Sequence, residues 1–230
     1  MIHFEAPMVR TYLLKGSGAA MLACSGGVDS IAGSHFLITH LRKKVEFSIL
    51  HVNNRLLPTD DEACDKVHEY AKMMDVNMIA MSGPVSIDVI KQRGIESACR
   101  EARLKVYKSI GGTFVLFHHL DDAVESHLMN AMRGKTCREP LSRISPLWTG
   151  TNGVGTIIRP FVSCTQKRDF STYARQNDLM QWVTEDPLNA ASRRGWIRST
   201  LLPVVSQQYP GLVTTVRKMY RSNDLGPRSL

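Results

Sequence analysis

The chain of 230 residues carries 29 Lys/Arg against 21 Asp/Glu, a formal net charge of +8, and 43% of it is apolar. That composition supplies a core and excludes a disordered or collagenous polymer, while no apolar run approaches the roughly 18 residues of a membrane span. The opening Met1-Ile2-His3-Phe4-Glu5 lacks the basic-then-apolar pattern of a leader, so the expectation is a soluble, cytoplasmic protein with no membrane contact.

In chain order, the apolar run Ala20–Cys24 ends in a glycine-rich turn and predicts a buried strand. A helix follows over Asp29–Leu41, a strand over Val45–Val52, and a helix over Asp60–Met74 with acidic residues in its first turn, where the dipole favours them. Val76–Met81 and Thr113–Phe117 read as strands. Gly94–Ile110 reads as a helix striped with Ile95, Ala98, Ala102 and Val106, and Asp121–Met132 as a helix stopped at Gly134. Strands alternating with helices predict an α/β fold, a parallel twisted sheet with helices on both faces.

Residues 135–156, with two prolines and three glycines, read as a long loop. A strand at Thr156–Arg159 and helices at Gln166–Asn177, Arg193–Leu202 and Gly211–Ser222 complete the reading, with a frayed tail over Asn223–Leu230. The expected division is a catalytic domain over 1–205 and a C-terminal helix and tail over 206–230.

Cysteines at 24, 64, 99, 137 and 164 are odd in number and nowhere spaced C-x-x-C. That argues against a zinc ribbon, an iron–sulfur site or a disulfide framework, and reads as small buried hydrophobes. The charge is uneven: residues 155–230 hold 11 Lys/Arg against 5 Asp/Glu. A basic C-terminal third suits a polyanion such as nucleic acid; solubility is the plainer explanation.

Four motifs carry chemistry. Ser25-Gly26-Gly27-Val28-Asp29-Ser30 joins the first strand to a helix. Its glycines let backbone approach a phosphate, and the helix N-terminus adds positive potential. The spacing is not that of a Walker loop. A carboxylate at Asp29 beside phosphates requires a cation between them, usually Mg²⁺. A tight turn with an Asp cap is the alternative. His118-His119-Leu120-Asp121-Asp122-Ala123-Val124-Glu125-Ser126 follows another strand; Asp122 and Glu125 share a helix face and could hold an ammonium group or a metal. The competing reading is a capping box with Asp122 at the N-cap and Glu125 at N3. Glu96, Arg100 and Arg103 form one stripe suited to phosphate, or a solvated face with a Glu–Arg pair. Asp186-Pro187-Leu188-Asn189 precedes a basic helix with Arg193, Arg194 and Arg198.

The hexapeptide resembles the pyrophosphate-binding loop of the PP-loop ATPases. Together with His51-Val52-Asn53, Arg100-x-x-Arg103, His118 to Ser126, Arg159-Pro160, Asp186 to Asn189 and Arg194 to Pro203, it is similar to the tRNA(Ile)-lysidine synthetase family over residues 20–205, its catalytic N-terminal region. The departures are Leu57, Leu104, Ala123, Ser126, Leu188 and Gly195, and no glycine-rich segment follows Arg133-Gly134.

The resemblance implies an ATP-dependent ligase with Mg²⁺. It adenylates the wobble cytidine of a CAU anticodon, releasing pyrophosphate, and free lysine then displaces AMP. Catalysis would rest on Asp29, Arg100, Asp122 and Glu125. ATP would meet Ser25, Gly26, Gly27, Val28, Asp29, Ser30, His51, Asn53 and His119, with Asp29 on the metal. Lysine would meet Asp122, Glu125 and Arg198, with a carboxylate of the acidic set as base. The tRNA would meet Arg103, Arg133, Arg193, Arg194 and Arg198. A homodimer is compatible with the sequence. The alternatives are another PP-loop tRNA-modifying enzyme such as a thiolase, against which the cysteine spacing speaks, and a non-catalytic tRNA- or nucleotide-binding relative.

Overall fold

The computed structural model describes residues 1–16, 18–57, 59–134, 147–149, 155–184 and 192–222. Its centre is a six-stranded sheet in the order β3-β2-β1-β4-β6-β5. The strands are β1 (Ala19–Ala23), β2 (Glu46–Asn53), β3 (Asn77–Ser82), β4 (Thr113–Val115), β5 (Leu147–Thr149) and β6 (Thr156–Ile158). All neighbours pair in parallel except β5 with β6.

Side chains alternate across the sheet, as the two-residue period of a strand dictates. Ala20, Leu22, Phe47, Ile49, Val115 and Ile158 enter one buried cluster; Met21, Ala23, Leu50, Val52, Phe114 and Ile157 enter another on the opposite face. Both faces are covered, which is why these strands read as unbroken apolar runs.

The first face is covered by α1 (Ala6–Val9), α2 (Val28–Leu41), α3 (Thr59–Met73) and α7 (Lys167–Gln176). The second is covered by α5 (Ile95–Ile110) through Val106 and Tyr107. Gly33 has a packing reason. A Cβ there would lie 2.2 Å from the Phe117 ring, so only glycine lets α2 lie this close to the residue that follows β4. Phe117 in turn stacks on Phe161, and Phe161 meets Phe170 edge-on.

Strand and helix order follow the sequence expectation, with local differences. A short N-terminal helix continues as a π turn over Arg10–Leu14. α4 (Ile87–Arg93) precedes α5 and has no buried residue, so no apolar stripe announced it. β5 lies inside the stretch expected to be all loop. Residues 135–146 and 150–154, Cys137 included, lie outside the described residues, as do Asp186 to Asn189 and the tail from Asn223.

The basic helix runs past its expected end. α8 (Arg193–Trp196) passes through a π turn over Ile197–Leu201 into α9 (Leu202–Gln208). Pro203 explains the break: it has no N–H to offer the carbonyl one turn back, and its ring crowds that carbonyl. Beyond it, α10 (Leu212–Ser222) buries Val216 against Leu120, Ala123 and Val124 of α6 (Leu120–Met132). Of the described cysteines only Cys24 is buried; Cys64, Cys99 and Cys164 are half-buried and none is disulfide-bonded.

Candidate active site

Strand order reverses between β1 and β4, so a crevice opens beyond their C-terminal ends, where open α/β sheets place ligands. The loop Ser25–Ser30 leaves β1 there, and His118-His119 leave β4 beside it. Gly26 adopts φ +88, a conformation open to glycine, and a Cβ on it would lie 2.5 Å from Thr184 Oγ1. Gly27 caps α2, and its carbonyl receives the Ser30 hydroxyl at 2.9 Å. Ser30 Oγ also accepts from the Ser25 N–H at 3.2 Å and lies 3.3 Å from Ser25 Oγ. The loop is thus closed on itself with its amides around the helix N-terminus. Thr184 N–H donates to the Gly26 carbonyl at 2.9 Å and holds the loop from outside.

Asp29 stands in the first turn of α2. Its Oδ2 lies 3.5 Å from His119 Nε2, while its Oδ1 is buried and finds no hydrogen-bond partner among the described residues. A buried, unpartnered carboxylate oxygen beside a phosphate-type loop is suited to a cation. No cluster of three metal-ligating side chains exists among the described residues.

His51 and Asn53 lie at the end of β2, next to the loop. His51 Nδ1 is 2.9 Å from the Cys24 carbonyl, so the proton sits on Nδ1 and Nε2 is left as acceptor. Burial lowers the His51 pKa against the opposing pull of that bond and of Asp60. Asn53 is engaged at both ends: it donates to Asp61 at 2.7 Å and accepts from the Arg55 N–H at 2.8 Å. The second contact holds Arg55 at φ +53, a left-handed conformation that residues with a Cβ rarely adopt.

α6 begins one residue earlier than expected, and its cap is different. His119 is the N-cap: its ring accepts from the Asp122 N–H at 3.3 Å, and Asp122 Oδ2 accepts from the His119 N–H at 3.0 Å. The box expected between Asp122 and Glu125 is therefore shifted by three residues, because an imidazole nitrogen serves where a hydroxyl or carboxylate is usual. Accepting at Nδ1 puts the His119 proton on Nε2, facing Asp29 and Asp122. Burial pulls its pKa down, but Asp122, Asp29 and Asp121 outweigh burial and raise it to about 9. The second proton, on Nδ1, would exchange the cap for the Asp121 carboxylate at 3.5 Å. His118 is driven the other way. Burial, then Arg159, Arg103, Arg194 and His119, hold it well below its usual pKa and keep it neutral.

Glu125 is fully buried. Arg198 grips it with Nε on Oε1 at 2.6 Å and Nη2 on Oε2 at 3.0 Å, and also lies 3.6 Å from Asp122. Burial raises the Glu125 pKa against the lowering effect of Arg198. Arg194 donates to Ser126 at 3.1 Å and reaches Glu96 at 3.6 Å. The Glu96 of the α5 stripe thus faces the C-terminal helix. In this state Asp122, Glu125 and Arg198 form one closed cluster.

Beside that cluster lies a cavity of about 160 Å³ between α5, α6 and the ends of β4 and β6. Arg100, Arg103, Arg133, Arg159 and Arg194 line it around His118, with Glu96 at its edge. The structure brings together four of the arginines expected to act, Arg100, Arg103, Arg133 and Arg194. Arg193 is exposed outside the cavity. In the sequence Arg159 stood as part of a motif and was given no role, although its place directly after a strand, at the C-terminal edge of the sheet, was a usable signal. No helix among the described residues is long and apolar enough to cross a membrane.

Comparison with known proteins bears on the family and the fold. The PP-loop domain family matches residues 3–205. A tRNA(Ile)-lysidine synthase of Alkalilimnicola ehrlichii is 29% identical over 197 residues, covering 82% of this chain and 42% of the relative. That of Neisseria gonorrhoeae is 30% identical over 202 residues, covering 86% and 43%. The chain spans less than half the length of these relatives. Among solved structures, the U34-tRNA thiolase from Methanococcus maripaludis shares the fold, with a TM-score of 0.70 over 94% of this chain and 76% of the thiolase at 16% identity. The resemblance carried by the motifs is borne out by these relatives, and the chain belongs to the PP-loop domain family.

Proposed function

We propose that this chain is the catalytic unit of a tRNA(Ile)-lysidine-type ligase, with 1–205 as the catalytic region and the last helix packed on it. The observation that carries the reading is the adjacency of three parts: a closed phosphate loop, an acidic cluster anchored on α6, and an arginine-lined cavity beside them. The family resemblance supplies the substrates.

In this reading ATP lies across the β1/β4 crevice. Ser25–Ser30 hold its phosphates, Asp29 Oδ1 takes the Mg²⁺ that neutralises them, and His51 and Asn53 stand at the nucleoside side. The 2-oxygen of the wobble cytidine attacks the α-phosphorus, and pyrophosphate leaves with the electrons of the broken bond. Lysine's ε-ammonium first gives a proton to a carboxylate of the acidic cluster; the neutral amine then bonds to carbon 2 of the cytosine ring and loses a second proton to solvent, and AMP leaves with the carbon–oxygen bonding pair. Arg100 and Arg103 balance the phosphate charge. Preorganised charge of this kind is the expected source of most of the rate.

Lysine fits the acidic cluster by exchange. Its ammonium takes the place of one guanidinium contact on Asp122 and Glu125, and the released side of Arg198 meets its carboxylate. Each carboxylate oxygen of Asp122 and Glu125 already faces a partner, so a lysine-dependent shift of Arg198 is part of the proposal.

The test is direct. The protein is incubated with ATP, Mg²⁺, labelled lysine and total tRNA carrying CAU anticodons, and the RNA is digested to nucleosides. Label in a single modified cytidine supports the proposal. Sulfur incorporation in a parallel reaction, with no lysine incorporated, would point to thiolation instead. Binding without AMP or pyrophosphate release would make the chain a binding relative.

A further inference from the structure

Trp196 closes α8 with half of its surface exposed. Its neighbours sort the helix into two faces. Ile197 is buried, and Arg194 and Arg198 turn inward to Ser126, Glu96 and Glu125. Arg193, three residues before Trp196 and therefore on the same side of the helix, is exposed. A single exposed apolar residue is ordinary. Here the residue is an indole, with the exposed Arg193 on the same side of the helix and Arg194, which lines the cavity, two positions before it.

We propose that Trp196 is a stacking platform for an unpaired base of the RNA substrate, with Arg193 and the cavity arginines taking the flanking phosphates. The proposal rests on the reading that the substrate is a tRNA, and it adds a place where a loop base other than the target would sit. Unpaired RNA bases are held by stacking on aromatic rings or guanidinium planes, and the phosphates beside a stacked base need cations at short range. The charge argues for this occupant. A second copy of the chain would bring the same excess of arginine to the contact and be repelled. ATP is drawn to the phosphate loop and His51, at the ends of β1 and β2.

Wild type, Trp196→Ala and Trp196→Phe are compared by fluorescence anisotropy on two end-labelled RNAs: a stem-loop with CAU in its loop, and a fully paired duplex with the same number of phosphates. Trp196→Ala is expected to lose roughly 5- to 150-fold in affinity for the stem-loop, the range of one base–aromatic stack. Duplex affinity, ATP affinity and the salt slope stay at wild-type values, and Trp196→Phe keeps most of the stem-loop affinity. Unchanged stem-loop binding by Trp196→Ala overturns the inference. So does an equal loss on both RNAs, or a change of oligomeric state with RNA binding intact. Wild-type protein that binds neither RNA overturns the functional reading itself, and this inference with it.

Discussion

Arg198 and Glu125, 73 residues apart in the chain, meet through two short hydrogen bonds, Nε to Oε1 at 2.6 Å and Nη2 to Oε2 at 3.0 Å. The carboxylate is fully buried and the guanidinium about a third exposed. Removing Arg198 leaves a buried charge with only Arg194 near it, at 3.8 Å. Breaking a fully buried pair costs about 3–5 kcal/mol; water at Arg198 screens the charge, so about 2–4 kcal/mol is expected for Arg198→Ala. Urea denaturation measures it. A loss under about 0.5 kcal/mol, within the range of ordinary surface substitutions, would show that the pair does not hold the C-terminal helices in place.

The same carboxylate gives a pH prediction. Burial raises the folded pKa of Glu125 above its unfolded value. The folded state therefore binds the proton more tightly, and stability supplied by protonated Glu125 is full below the unfolded pKa and is lost as pH rises through the folded one. In Glu125→Gln this titration is absent. The wild-type minus variant difference in unfolding free energy should fall as pH rises from about 4, near the unfolded carboxyl value, through the raised folded one. A difference that rises instead means that Arg198 outweighs burial.

The proposed metal role falls on Asp29, whose Oδ1 is buried without a hydrogen-bond partner among the described residues. Asp29→Ala should lower pyrophosphate release or ATP–pyrophosphate exchange by at least about 100-fold, the scale of losing one preorganised charge contact. Its melting temperature should stay near that of wild type, because the side chain sits at the crevice surface. Exchange that survives intact moves the metal elsewhere.

Gly33→Ala sets two effects against each other. Alanine favours a helix over glycine by about 1 kcal/mol. Its methyl would sit 2.2 Å from a Phe117 ring already packed on Phe161, and overpacking of that kind costs about 1–3 kcal/mol. The clash should win, lowering the melting temperature. A stabilised variant would mean that Phe117 can move aside.

Each cavity arginine that contacts a phosphate contributes to the salt dependence of RNA binding. Arg103→Ala should weaken binding to cognate and non-cognate tRNA alike, and lower the slope of log affinity against log salt by about 0.7–0.9. Titrations at several salt concentrations measure this, and an unchanged slope would remove Arg103 from the RNA contact.

Much of this was legible in the sequence because it was local. The phosphate loop lies within six residues, the α5 stripe follows a helical period, and each parallel strand is an apolar run. What stayed hidden depends on distance. Arg198 joined Asp122 and Glu125 only through the family resemblance, with no sign that it would grip Glu125 directly, and nothing near Gly26 announces Thr184. The cap of α6 was misplaced because histidine is an uncommon N-cap, and only the Nδ1 geometry reveals it. The short α4 went unseen because it buries nothing. Arg159 was visible as a letter, but its place in the cavity depends on β6 lying next to β4.

The contact between the Thr184 N–H and the Gly26 carbonyl sets an order of events during synthesis. A nascent chain can finish β1, α2 and the loop between them long before residue 184 leaves the ribosome. Until then the Gly26 carbonyl lacks this outer contact, whereas the bonds among Ser25, Gly27 and Ser30 are local and form with α2 itself. The outer brace of the loop is therefore completed only when the segment carrying Thr184 folds back onto it.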